Sequence, residues 1–257
     1  MSQPALDKIG HYKFLSEPFH CDFSRRLFMG HLGNHLLNAA DFHSNDRGFG
    51  MRRLNAQRKT WVLSRLAIEM DEMPPMYRHF FIDTWVESAM RFFTNRNFHL
   101  YDATTGQTYG YGRSIWAMID IDSRQPVGLL DINDGAILNY VAAEKENPMA
   151  PLSRVKMTDS AVWVRTIDSN YNDVDINGHI NSLKYIEHVM DLWPLEWYER
   201  HPLRRIDVAY VAETHFGDRL KFYREQVDSL TFNVRICRME PHQEEEHEVV
   251  RTQLIFR

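Results

Sequence analysis

The feature that most restricts this chain is an internal repeat, in which one helix-like run followed by a series of strand-like runs occurs twice in the same order. The first copy opens with an alternating stretch, FHCDFSRRLF, then Met29-Gly-His-Leu32 and a helix candidate, GNHLLNAADFH. Four strand-like runs follow: TWVLSRLAIEM, FFIDTWVESAMRF, NFHLYDATTG and QTYGYGRSIWAMID. The second copy opens with AVWVRTIDS, then Asn177-Gly-His-Ile180 and the helix candidate NSLKYIEHVMDLW, followed by RIDVAYVAET, RLKFYREQVD, LTFNVRICRM and HEVVRTQLIFR. In the second helix Leu183, Ile186, Met190 and Trp193 recur at three- and four-residue spacing and define one buried face. The turns correspond too, Asp-Ala-Thr-Thr-Gly106 in one copy and Glu-Pro-His-Gln243 in the other. One helix with a run of antiparallel strands, duplicated, predicts an α+β architecture in which one face of each sheet packs on its helix. The expected divisions are residues 1–130, a linker over 131–160 marked by Asn147-Pro148 and Pro151, and residues 161–257.

Composition removes several classes of function. Apolar residues make up 44% of the 257 and charged residues 25%, so a substantial core is expected. A formal charge of −5 does not suit a nucleic-acid binder. No apolar run approaches the ~20 residues of a membrane span, and the N-terminus shows no secretory pattern. Cys21 and Cys237 stand alone, which predicts reduced thiols and a cytoplasmic protein. The thirteen histidines are scattered without metal-ligand spacing, so neither a metal nor a cofactor is expected.

The segment Asp173-Val-Asp-Ile-Asn-Gly-His-Ile-Asn-Ser-Leu-Lys-Tyr185 admits two readings. Its first six residues fit the start of a calcium-binding EF-hand loop. That loop needs a bidentate Glu at position 12 and a helix before it, whereas Lys184 occupies the position and AVWVRTID alternates like a strand. The other reading is catalytic. Asp175, Asn177 and His179 are spaced by two, so an extended approach projects them to one side. Glu213 sits where the alternation of the next strand ends, within reach of His179 if that strand lies beside the helix start. Taken singly, Asp175 or Asn177 is more often a cap or turn residue. Matching Gly30-His31 to Gly178-His179 puts Leu27 and Met29 opposite Asp175 and Asn177, which predicts one working site and one degenerate copy.

At these residues the sequence resembles the acyl-ACP thioesterases, which are built as tandem double hotdog folds. The family's D-x-D-x-N-x-H-x-N segment is complete at Asp173, Asp175, Asn177, His179 and Asn181. Similarity also runs through Trp61-Val-Leu-Ser-Arg65, Ile82-Asp-Thr-Trp85, Asp102-Ala-Thr-Thr-Gly106 and Arg113-Ser-Ile-Trp-Ala-Met118. The resemblance implies two tandem hotdog domains, each an antiparallel sheet wrapped around a central helix. It also implies hydrolysis of a fatty acyl thioester carried on the phosphopantetheine of an acyl carrier protein. Carried over residue by residue, it makes Asp175, Asn177, His179 and Glu213 catalytic. Plant members often carry Cys where this chain has Thr214, a departure that argues against a thiol nucleophile. The transit segment of plant members has no counterpart here, so a bacterial-type enzyme is expected.

The mechanism expected from these residues is general-base activation of water by Glu213 and His179. Asn177 and amides around Gly178 to Ile180 would receive the oxyanion, with Asp175 as orienter. An acyl slot is expected along Leu32, Leu36, Leu37 and Ala40 and near Trp61 and Phe92. Met51-Arg-Arg-Leu-Asn-Ala-Gln-Arg-Lys59, four cations without an acid, is the candidate docking patch for an acidic carrier. The competing readings are an acyl-CoA thioesterase, a hotdog hydratase or dehydratase, and a non-catalytic lipid-binding module. The chain itself is expected to be a monomer or a homodimer.

Overall fold

The computed structural model describes residues 6–239 and 245–257, with Asn133 described by its backbone only. The turn expected at Glu240–Gln243 lies outside the described residues. The chain divides into two compact units, Met1–Ser64 with Asp71–Pro151, and Arg65–Met70 with Leu152–Arg257. Each unit is one principal helix on an antiparallel sheet, the hotdog arrangement and α+β class read from the sequence.

In the first unit the strands are β1 (Gly10–Leu15), the Lys59–Ser64 part of β2 (Lys59–Met70), β3 (His79–Ala89), β4 (Phe93–Asp102) and β5 (Thr108–Asp120), in the order β1-β3-β4-β5-β2, while Arg65–Met70 of β2 belong to the second unit. The helix α1 (Met29–Asp46) buries Met29, Leu32, Leu36, Ala39, Ala40 and His43, the three- and four-residue stripe of a helix pressed on a sheet. The inward face of β4 alternates Thr94, Arg96, Phe98, Leu100 and Asp102. From that face Arg96 donates to Ser44 of α1 at 2.9 Å, tying helix to sheet. The turn at Asp102–Gly106 forms as expected: Asp102 Oδ1 accepts from the amides of Thr104 and Thr105, and Gly106 supplies a φ of +73°.

Three parts of the first unit depart from expectation. FHCDFSRRLF is not a strand; it is a 3-10 turn, Pro18–His20, and a loop closed by the bridge between Cys21 and Leu27. Strand β1 pairs with β3 along its whole length, a strand the alternation alone did not reveal. A short helix, α2 (Met51–Asn55), occupies the start of the basic segment.

The second unit contains β6 (Val162–Asp168), β7 (Leu203–Tyr210), β8 (Arg219–Gln226), β9 (Thr231–Met239) and β10 (Glu246–Phe256). The C-terminal part of β2 pairs with β7 from Arg65↔Ala209 to Glu69↔Arg205, and the order onward is β7-β10-β9-β8-β6. Its helix α3 (Ser182–Met190) buries Leu183, Tyr185, Ile186 and Val189 and is capped by Asn181, whose side chain accepts from the Leu183 amide. Pro194, which has no amide proton to continue a helix, separates it from α4 (Leu195–Arg200). Trp193 and Trp197 meet Phe232 and Phe256 edge-on at 5.2–5.6 Å and fasten these helices to the sheet.

The segment 131–160, expected as the linker, makes contacts with both units in turn. Leu129 and Ile132 pack with Leu54 and Met118, and Ile137 packs with Phe49 and Val86, all in the first unit. Beyond Pro151, Ser153 donates its amide to Asp207 and Lys156 offers its carbonyl to Asn233, so this stretch belongs to the second unit. No helix of the described residues is long and apolar enough to cross a membrane.

Candidate active site

The second unit builds its corner from a short, fully bonded loop. A 3-10 turn, Tyr171–Asp173, ends on Asp173, whose buried carboxylate accepts from the Asn170 amide at 2.7 Å and meets His188 Nε2 at 2.9 Å. The loop is pinched by a bridge between Val174 and Ile180. Within it Asp175 Oδ1 accepts from the amides of Asn177 at 2.8 Å and His179 at 3.3 Å, and the Asp175 amide donates to the His179 carbonyl at 2.8 Å. Gly178, at φ +81°, supplies the left-handed residue that lets the chain reverse within so few bonds.

This turn brings His179 to Glu213. The carboxylate lies in the loop after β7, with Oε2 3.4 Å from His179 Nε2, and both side chains keep partial access to solvent at 24% and 36% exposure. The distance exceeds that of a normal hydrogen bond, leaving the pair loosely engaged. The loop carrying Glu213 is pinned from several sides. Ile180 donates its amide to the Thr214 carbonyl at 2.9 Å, Arg238 donates to the Glu213 carbonyl at 3.1 Å, and the Tyr185 hydroxyl bonds Thr214 Oγ1. Burial first of all pushes the Tyr185 phenol up to about 12, so it stays protonated throughout the physiological range. The His215 ring stands edge-on to His179 at 5.0 Å. His215, Arg238 and the His188–Asp173 pair were not singled out in the sequence. Only His215, two residues past Glu213, carried a local cue.

Two expectations about the corner change. The spacing of two does not project Asp175, Asn177 and His179 as from an extended strand, because residues 176–177 form a turn. The amides near the helix start are also committed: Asn177 and His179 donate to Asp175 Oδ1, Gly178 to the Asp175 carbonyl and Ile180 to Thr214. What remains open is the Asn177 side chain, exposed and without a hydrogen-bond partner among the described residues.

The first unit contains the same loop, but not where the Gly-His match placed it. Gly30 and His31 lie inside α1. The bridge Cys21↔Leu27 matches Val174↔Ile180, and Arg26↔Pro75 matches His179↔His215. Asp22 therefore corresponds to Asp175, Ser24 to Asn177, Arg25 to Gly178, Arg26 to His179 and Met73 to Glu213. Asp22 Oδ1 accepts from the amides of Ser24 at 2.8 Å and Arg26 at 3.3 Å, the bonds that Asp175 makes. Arg26 reaches Glu72 at 2.7 Å and the Met73 carbonyl at 2.9 Å.

The expected acyl-contact residues separate by burial. Leu32 and Leu36 are 0% exposed and Ala40 4%, packed in the core of the first unit. Leu37, Trp61 and Phe92 are half-buried; Trp61 bonds the Phe49 carbonyl at 2.8 Å, and Phe92, in the bend between β3 and β4, lies under the Arg91 guanidinium. In the basic segment Arg52, Arg53 and Arg58 are exposed, and Arg58 pairs with Asp122.

Comparison with known proteins gives a consistent picture. The sequence profile of the acyl-ACP thioesterase N-terminal domain matches residues 11–133, and that of the acyl-ACP thioesterase C-terminal domain matches residues 157–255. The chain is 47% identical to an acyl-ACP thioesterase of Bacteroides thetaiotaomicron, whose crystal structure superposes with a TM-score of 0.89 over 97% of this chain and 98% of that one. The 12:0-ACP thioesterase of Umbellularia californica, 18% identical, shares the fold at a TM-score of 0.81 over 99% of each chain. The chain is 27% identical over 235 residues to the chloroplastic oleoyl-acyl carrier protein thioesterase 2 of Arabidopsis thaliana, a match covering 85% of this chain and 61% of that protein.

Proposed function

This chain belongs to the acyl-ACP thioesterase family, and from that premise we propose that it hydrolyses fatty acyl-[acyl carrier protein] to a free fatty acid and the holo-carrier. The observation that carries the reading is the second-unit corner, where His179 and Glu213 lie 3.4 Å apart and the same loop carries the exposed Asn177 two residues before His179. A thioester carbonyl is already electrophilic, so the site has to supply an activated water and a donor for the oxyanion. Glu213, with His179, takes a proton from water as its oxygen adds to the carbonyl carbon. The Asn177 side-chain N–H groups donate to the resulting oxyanion. Collapse of the tetrahedral intermediate breaks the C–S bond, and the proton held by the His179–Glu213 pair passes to the departing thiolate. Asp175 fixes the loop through its amide bonds. Thr214, bonded to Tyr185, holds the carboxylate's backbone in place.

Discrimination of acyl length is assigned to the half-buried Leu37, Trp61 and Phe92, which retain surface that a ligand can cover. The exposed Arg52 and Arg53 are the proposed contacts for an acidic carrier. If so, hydrolysis of carrier-linked substrate falls more steeply with salt than hydrolysis of a small thioester. The two reduced thiols suit an enzyme of the cytoplasm.

Thiol release measured over a panel of acyl chain lengths, each presented on carrier protein and on CoA, tests this reading. Faster release from the carrier is expected. Equal or faster release from CoA would move the assignment to an acyl-CoA thioesterase, and no release from either would end it.

A further inference from the structure

The first unit's corner gathers a different set of side chains. Glu17 Oε2 lies 3.2 Å from His20 Nδ1 and 3.9 Å from His35 Nε2, and the three ligand atoms fall within 4.8 Å of one another. We propose that Glu17, His20 and His35 form a binding site for a divalent transition metal ion of the zinc class, with water completing the coordination.

The backbone favours such a set. Glu17 and His20 are three residues apart across a 3-10 turn, a spacing that stacks side chains on one face. His35 arrives from α1, so an ion here would tie the 3-10 turn to the helix. Its ring is 14% exposed and held between Phe14 at 4.6 Å and Phe80 at 5.7 Å. The His20 ring stacks on His31 at 4.1 Å. Both imidazoles are thus oriented by neighbours before any ion arrives. Metal–ligand bonds of about 2.0–2.1 Å in tetrahedral geometry put ligand atoms roughly 3.3 Å apart. The two recorded separations lie close enough to that value for small side-chain rotations to complete the shell. Two imidazoles and one carboxylate suit zinc, nickel or copper and not magnesium or calcium, which prefer oxygen ligands.

The matching positions of the second unit show what the set is not. Continuing the loop correspondence puts Asn170 opposite Glu17, Asp173 opposite His20 and His188 opposite His35. There Asp173 and His188 form a direct pair at 2.9 Å and the third position is an amide. An ordinary carboxylate–imidazole contact needs two residues; the first unit supplies a third that converges on the same oxygen.

The test is isothermal titration of zinc into the full chain after chelator treatment, with Glu17→Gln and His20→Ala as variants and the exposed His79→Ala as control. Glu17 and His20 are both 41% exposed, so their replacement leaves the core intact. One site is expected in the parent chain and in His79→Ala, weakened in the other two by at least the ~10–100-fold that loss of an outer-shell partner costs. Zinc should also raise the Tm of the parent chain and not that of Glu17→Gln. An anomalous difference map at the zinc edge should show an ion between the three side chains. Absence of binding, equal affinity across all variants, or an anomalous peak elsewhere would overturn the proposal.

Discussion

The two corners use one loop for different purposes. Asp22 and Asp175 each accept the amides two and four residues ahead at 2.8 and 3.3 Å, and each donates its own amide at 2.8 Å to the carbonyl four residues on. Shape is therefore common to both, and the differences lie in what the loop presents. Where the second unit offers Asn177, His179 and Glu213, the first has Ser24, Arg26 and Met73, and Arg26 is engaged with Glu72. An aspartate that both copies retain with the same bonds is holding a turn. Residues that only one copy carries are where the chemistry is assigned. We therefore propose that Asp175 serves as builder of the loop.

The comparison is broken most sharply at His179. Replacing it with Ala should lower kcat for thioester hydrolysis by ~10²–10⁴-fold, the worth of general-base help, while the Tm stays near that of the parent chain. Retained turnover would remove the imidazole from the reaction. Next in size is Asn177→Ala, expected to cost roughly 10²–10³-fold in kcat with little change in KM, as for loss of one oxyanion donor. A rise in KM alone would make Asn177 a binding residue instead.

The paired aspartates give a finer test. Loss of an Asp that caps a turn through backbone amides costs about 0.5–2 kcal/mol by analogy with helix N-caps. Asp22→Ala and Asp175→Ala should therefore lose similar stability in urea unfolding, and only the second should also slow hydrolysis. Equal activity in the two variants would mean that the second loop tolerates distortion. Smallest in its effect on turnover should be Thr214→Val, which removes the partner of the buried Tyr185 hydroxyl. About 1–3 kcal/mol of stability is expected to go with the unsatisfied phenol, alongside a modest drop in kcat.

Much of this was legible in the sequence. The runs that became β2 to β10 were visible because alternation is strong where one face of a sheet is buried, and Leu183 and Ile186 marked α3 by their spacing. Glu213 stood out because the pattern of β7 breaks just before it. The error was the first corner. Gly30-His31 imitates Gly178-His179 in letters, yet it lies within α1, where glycine does no conformational work. The true counterpart, Asp22-Phe-Ser-Arg-Arg-Leu27, has Arg25 at φ +60° where Gly178 stands, so the usual glycine signal is missing. The Asp-x-Ser pattern was the available cue. Strand β1 was missed because its pairing with β3 is a distant contact that local alternation does not record. The commitment of the Gly178 to Ile180 amides was likewise beyond a one-dimensional reading, since it depends on where Asp175 and Thr214 sit in space.

The central claim is that hydrolysis resides in the His179–Glu213 corner and not in its counterpart. Single-turnover thiol release from a long-chain acyl carrier substrate, compared between Glu213→Gln and Arg26→Ala, tests it most directly. The account predicts a loss of ~10²–10⁴-fold for the first and an unchanged rate for the second. Full turnover by Glu213→Gln, or a collapse of activity in a folded Arg26→Ala, would contradict it.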